Sequence, residues 1–301
     1  MRRSALDFHN NSSLAHYYAS HPELSSAYSK SFWNHKKSSI TSRTHLHEND
    51  IFYSLFSQGY WHSSFNLSAT LIDRLSSRIN SNNIDTSVTS HSHCLSYDEF
   101  EAVFSCVFSI PNLLDSIDLY LGHSGLTLYE ASHFLQRRCT PAERMPTSGH
   151  WHRDPVGSHV KLFLCLHNSP KGPSTGFVPQ PFLDPVTRDW EMIRTQPDTS
   201  LLEQLTNHIE SFSPIDIQQE IGSLLLIDTN CIHRGNYFID SSDLTITCND
   251  FRHLLQFSFM NNHQHTLYER TMGPLNPSKP IRIPSHPFAN LKLPSTQFLV
   301  S

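Results

Sequence analysis

Charge is what this chain is shortest of. Only 16% of its 301 residues are Asp, Glu, Lys or Arg, with 22 basic against 27 acidic, and neither sign is gathered into a long block. A nucleic-acid tract or a polybasic membrane patch needs such a block, so neither partner is expected. No apolar run approaches the length of a membrane span. The start, MRRSALDFHNNSSLAHYY, is basic but carries no apolar stretch, so a secretory signal is not expected either. Cysteine is sparse: Cys94, Cys106, Cys139, Cys165, Cys231 and Cys248 are scattered without CxxC spacing. A reducing, cytoplasmic setting follows, with Cys165 and Cys231 as buried thiols inside apolar segments. HExxH and the nucleophile elbow are also missing, which removes the sequence support for a metallohydrolase or a serine hydrolase. No internal repeat is visible.

Histidine, by contrast, is abundant, at 21 residues. A His-x-Asp/Glu triplet therefore arises by accident, and three occur. His21-Pro22-Glu23 leads into a polar serine-rich stretch. His208-Ile209-Glu210 lies in LLEQLTNHIESF, whose apolar spacing is helical, so residues i and i+2 diverge. Only His152-Arg153-Asp154, within GHWHRDPVGSHVKLFLCLHNSPKGPSTGFVP, stands ahead of a strand, a turn and a second strand. On extended backbone, i and i+2 point to one face, so His152 and Asp154 can meet at one metal ion. Downstream, IGSLLLIDTNCIHRG offers His233 as a third ligand just after another apolar strand. Two histidines and a carboxylate on one side of a metal form the facial triad of non-haem Fe(II) oxygenases, which leaves positions open for cosubstrate and O2.

The first 50 residues have no clean period. Residues 51–79 are helix-like in parts, with Leu71, Ile72, Leu75 and Ile79 forming a stripe, and 81–93 reads as a Ser/Asn/Thr loop. Ser96-Tyr97-Asp98-Glu99 is a capping box that opens a helix ended by Pro111, and LLDSIDLYLG is a short second helix stopped by Gly122. A long strand is expected over 126–138. Shorter ones follow around 150–154, 159–167, 174–179, 222–228, 230–235 and 251–260. Residues about 184–214 form an insertion with mixed helical signals. After residue 261 the tail is punctuated by Pro274, Pro277, Pro280, Pro284, Pro287 and Pro294, and is extended along the domain. Helices first and many short strands afterwards predict one α+β domain over 1–301: a helical layer (1–122), a double-sheet jelly-roll core (123–261) and the tail (262–301).

Iron alone does not activate O2; a two-electron reductant is required. If that is 2-oxoglutarate, its distal carboxylate needs a buried cation, preferably arginine. Arg252, opening the apolar strand FRHLLQFSF, is the candidate, sharing a face with Leu254 and Gln256. His150, Trp151 and His159 flank the triplet and are candidates for the substrate pocket.

Taken in order, WHRDPVGSHVKLFLCL, GPSTGFVP, IGSLLLIDTNCIHRG and FRHLLQFSF resemble the phytanoyl-CoA dioxygenase-like family of Fe(II)/2-oxoglutarate oxygenases. The resemblance covers about 126–260. It departs at Gln180-Pro181, where the family usually shows Gly-Ser-His, and in the long interval between His233 and Arg252. It implies a cupin-like double-stranded β-helix, Fe(II) on His152, Asp154 and His233, and 2-oxoglutarate anchored by Arg252. A further cosubstrate contact from the preceding strand falls to Arg137, with Gln136 as its competitor. The implied reaction couples oxidation of a small-molecule substrate by O2 to release of succinate and CO2. Hydroxylation is the default outcome; desaturation, epoxidation and cyclisation are variants, and halogenation is disfavoured because Asp154 fills the halide position. Two other readings stay open: a catalytically silent jelly-roll module that keeps the ligands, and a zinc hydrolase. Oligomeric state is not legible.

Overall fold

The computed structural model describes residues 50–78, 90–95, 99, 103, 106–121, 126–139, 147–149, 151–152, 159–179, 209, 212–229, 231–237, 250–261 and 291–293. Helix α1 (Asp50–Gln58) buries Ile51, Phe52 and Leu55 on one stripe. It stops at Gly59, whose φ of 80° is left-handed and whose position a Cβ would bring within 2.4 Å of the Cys231 sulfur. Strand β1 (Tyr60–His62) follows at once, inside a stretch whose spacing reads as helical. Helix α2 (Ala69–Arg78) is capped by Ser68, whose Oγ accepts from the Leu71 N–H at 3.3 Å, and buries Ile72 and Leu75. Residues 99, 103, 106 and 107 are helical, consistent with the helix expected after Ser96, and helix α3 (Leu113–Tyr120) buries Leu113, Leu114, Ile117 and Tyr120. Among the described residues, no helix is long and apolar enough to cross a membrane.

The other strands are β2 (Ser90–Cys94), β3 (Leu126–Arg137), β4 (His159–Asn168), β5 (Ser174–Phe177), β6 (Ile215–Ile217), β7 (Leu224–Asp228), β8 (His233–Asn236), β9 (Phe251–Asn261) and β10 (Leu291–Leu293). All pair antiparallel. The larger sheet runs β1-β7-β4-β9-β3-β10, and β2 shares the outer edge of β3 with β10. The smaller runs β6-β5-β8, extended by a bridge between His233 and His152. The chain alternates between them: β3 in the first, His152 in the second, β4 back, β5 and β6 across, β7 back, β8 across, β9 back. That double winding is a jelly roll.

Strand β2 falls partly within the expected 81–93 loop. Its sequence SHSHC carries no apolar face, and only pairing with Ser132–Gln136 makes it a strand. Strand β10 lays part of the tail along β3, in keeping with an extended tail.

The two faces of the larger sheet have different work. Val160, Leu162, Leu164, Leu224, Leu226, Leu255, Phe257 and Phe259 join the helical side chains in one core. The alternate positions Phe163, Leu225 and Ile227 pack on Phe177, Ile217 and Cys231 of the smaller sheet and its approach. Arg252, Gln256 and Ser258 lie on that second face, between the sheets, because antiparallel partners share a face and Gln256 is opposite Phe163. A polar row thus enters the barrel interior along an otherwise apolar strand.

Candidate functional site

His152 and His233 form a closely hydrogen-bonded antiparallel pair. The His152 N–H donates to the His233 carbonyl at 2.9 Å, and the reverse bond is 2.8 Å. Their rings stand side by side, centroids 4.4 Å apart and planes at 52°, and each residue is 7% exposed. His233 also pairs with Phe177, whose ring is in the inter-sheet core, so both imidazoles face the barrel interior at its mouth.

The chemistry of His233 suits a metal. Its Nδ1 lies 2.9 Å from the Cys231 carbonyl oxygen, which can only accept, so Nδ1 carries the proton. Nε2 is then the imidazole's lone-pair nitrogen, the form that ligates a cation. The Cys231 carbonyl is itself placed by the turn from Asp228, where the Cys231 N–H donates to the Asp228 carbonyl at 3.0 Å. The Asp228 carboxylate accepts from the Tyr120 hydroxyl of α3, and burial together with this neighbouring charge raises the Tyr120 pKa well above its usual value. Asp154 lies outside the described residues, and among those described no three His, Cys, Asp or Glu side chains converge as a metal cluster.

Arg252 is 2% exposed. Its Nε donates to Gln136 Oε1 at 2.6 Å and its Nη1 to Thr175 Oγ1 at 2.9 Å; both partners are neutral. Burial lowers its pKa to about 10, so it stays charged at neutral pH. No carboxylate pairs with it among the described residues. Thr175 is the strand partner of Gly235, two residues along β8 from His233, so the guanidinium's contact lies about 7 Å of strand from the histidine pair.

The two residues competing for the contact from β3 are separated by strand alternation. Gln136 is opposite Arg252 and bonded to it. Arg137 takes the other face, donating through Nη1 to the Arg138 carbonyl at 2.9 Å. Arg138, unremarked in the sequence, clamps the chain: its guanidinium donates to the carbonyls of Lys171, Asn236 and Gly172 at 2.8–3.0 Å. Thr175 and Tyr237 were also missed. Thr175 could have been found, since it lies two residues before Phe177 in GPSTGFVP and shares its face.

Trp151 is buried with Val178, Ile209 and Ile232, and the Arg234 guanidinium sits 4.2 Å over its ring. His150 is outside the described residues; for His159 the backbone is described, pairing with Met260. His208 and Glu210 of the rejected triplet are outside them too, while Ile209 between them is helical.

No family model matches the sequence, and no curated protein does. Solved structures are similar over part of the chain. The non-heme alpha ketoglutarate dependent epimerase SnoN from nogalamycin biosynthesis is 12% identical, with 70% of this chain and 81% of that one covered at a TM-score of 0.44. HygX from Streptomyces hygroscopicus, with nickel and 2-oxoglutarate bound, is 15% identical, covering 71% and 87% at 0.45. EctD from S. alaskensis with bound Fe is 15% identical, covering 71% and 76% at 0.46. Likeness at this level bears on neither substrate nor reaction.

Proposed function

We propose that this protein is an Fe(II)- and 2-oxoglutarate-dependent dioxygenase that oxidises a small molecule, by default hydroxylating it, and releases succinate and CO2. The observation that carries the reading is Arg252: a charged guanidinium inside the barrel, held by two neutral oxygens, a short strand's reach from two converging imidazoles. No carboxylate pairs with Arg252 among the described residues; a buried cation without an anion costs several kcal/mol, and a dicarboxylate bridging to the histidine pair would offset that cost. In this reading His152, Asp154 and His233 hold the iron, and Arg252 holds the far carboxylate of 2-oxoglutarate, with Gln136 and Thr175 fixing the guanidinium. Iron and cosubstrate, once bound with O2, supply the oxidation of a substrate C–H bond. The chain's own residues position and exclude water: the Cys231 carbonyl sets the His233 tautomer, and Phe177, Leu225 and Ile227 keep the interior dry.

The reading is in keeping with the neighbours named above and does not rest on them. The order of its motifs resembles that of the phytanoyl-CoA dioxygenase-like group, and we read the chain as a member of it. We take 1–301 as one oxygenase unit, with 1–122 as its helical buttress, and His150 and His159 on the substrate side of the centre; Trp151, expected with them, alternates with His152 and packs instead with Arg234, Val178 and Ile232 on the outer face of the smaller sheet. A small metabolite suits a surface without a long charged docking stripe. The test is conversion of 2-oxoglutarate to succinate by anaerobically iron-loaded protein after admission of O2. Iron-dependent succinate is expected even without the natural substrate; tight 2-oxoglutarate binding with no turnover across many candidate substrates would favour a silent module, and zinc-dependent hydrolysis indifferent to O2 would favour the hydrolase.

A further inference from the structure

Tyr237 follows β8 and is 1% exposed. Its ring lies against Gly235, where a Cβ would come within 2.5 Å of it, and its carbonyl accepts from the Cys139 N–H at 2.7 Å. The Tyr237 hydroxyl is 2.5 Å from Gln136 Nε2 and 3.1 Å from Ser148 Oγ. Donor chemistry sets the direction of this chain. A guanidinium only donates, so Gln136 must turn Oε1 to Arg252 and hence Nε2 to Tyr237. The Tyr237 oxygen accepts from that amide and shares its second hydrogen bond with the Ser148 hydroxyl, in which either can donate. Ser148 belongs to the 3-10 turn Thr147–Gly149, a few residues ahead of His152.

We infer that Tyr237 is a positioning residue for the anion site: through Gln136 it fixes the Arg252 guanidinium, and through Ser148 it ties that guanidinium to the turn leading into His152. This rests on the reading of Arg252 as the carboxylate anchor. The relay makes the cosubstrate cradle and the approach to the first metal ligand one hydrogen-bonded unit, built from β3, β8, β9 and the turn. In Tyr237→Phe the ring still covers Gly235, but the Gln136 amide loses its acceptor and is able to flip, presenting N–H groups to a guanidinium that cannot accept.

The test is equilibrium binding of 2-oxoglutarate to the full chain loaded with Mn(II), followed by calorimetry, alongside the unfolding temperature. Tyr237→Phe is expected to weaken 2-oxoglutarate about tenfold, the worth of one buried hydrogen bond to a charged network, with the protein still folded, its unfolding temperature lowered by a few degrees for the lost bond, and Mn(II) affinity reduced less than 2-oxoglutarate affinity. Ser148→Ala, which removes only the last hydroxyl of the relay, is expected to weaken it about threefold, and it decides the matter if Tyr237→Phe does not fold. Wild-type 2-oxoglutarate affinity in a stable Tyr237→Phe, with Arg252→Ala failing to bind, overturns the role of Tyr237 alone. Failure of wild type to bind 2-oxoglutarate, or Arg252→Ala binding as wild type, removes the anchor reading beneath it.

Discussion

An arginine at the start of an apolar strand is visible in a sequence; what it touches is not. Arg252 could be singled out because FRHLLQFSF alternates, and Leu255, Phe257 and Phe259 do take the helix-facing side while Arg252 takes the interior. Its partners come from 116 and 77 residues earlier in the chain, beyond any local pattern. Choosing between Gln136 and Arg137 needs the register of β3 on β9, which a single strand does not reveal. Arg252→Ala is expected to weaken 2-oxoglutarate about 100-fold, as when one partner of a buried charge pair is removed. Arg137→Ala, whose buried side chain lies on the opposite face and bonds the Arg138 carbonyl, should keep 2-oxoglutarate affinity within about threefold, because that face does not meet Arg252. Titration of 2-oxoglutarate into both metal-loaded variants checks this; the reverse ranking would move the anchor to Arg137.

At the scale of elements, β4, β7 and β9 were legible because each carries an apolar run bounded by turn residues, β3 from its length and partial alternation, and β5 and β8 from their place beside Gly and Pro turns and apolar neighbours. Strands β1, β2 and β6 were not. In β1, Gly59 alone separates a strand from a helix of similar composition, and β2 has no apolar face to betray it. Strand β6 is three residues long, next to an insertion that hides it. The contact that ties helix to site is between α3 and the turn after β7, where the Tyr120 hydroxyl donates to Asp228. Tyr120→Phe removes a buried hydrogen bond to a carboxylate and is expected to cost about 1.5–3 kcal/mol of unfolding free energy. Chemical denaturation measures it. Because Asp228 positions the Cys231 carbonyl that fixes His233, metal affinity should fall in the same variant; an unchanged metal affinity would separate the turn from the site.

For the molecule as a whole, the buried pair His133 and His253 makes stability depend on pH. Their nearest ring nitrogens are 3.3 Å apart, on the helix-facing side of β3 and β9. Burial, and then the neighbouring His133 and His167, hold the His253 pKa down at about 4. Unfolding returns it to about 6.5, so the unfolded chain takes up a proton that the folded one refuses between those values. Stability from this group is intact above pH 6.5 and falls as the pH drops, by roughly 3 kcal/mol by pH 4. His253→Gln should flatten that slope in urea denaturation; an unaltered slope would assign the acid sensitivity elsewhere.

The central claim is that His152, Asp154 and His233 hold one Fe(II) ion within a cosubstrate's length of Arg252. Adding 2-oxoglutarate to the anaerobic Fe(II) protein tests it most directly, because chelation of the ion by the keto acid produces a visible metal-to-ligand charge-transfer band. The band should appear in wild type, vanish in Asp154→Ala and His233→Ala with their circular dichroism unchanged, and need far more 2-oxoglutarate in Arg252→Ala. A wild-type protein that folds, binds Fe(II) and shows no band at saturating 2-oxoglutarate would contradict it.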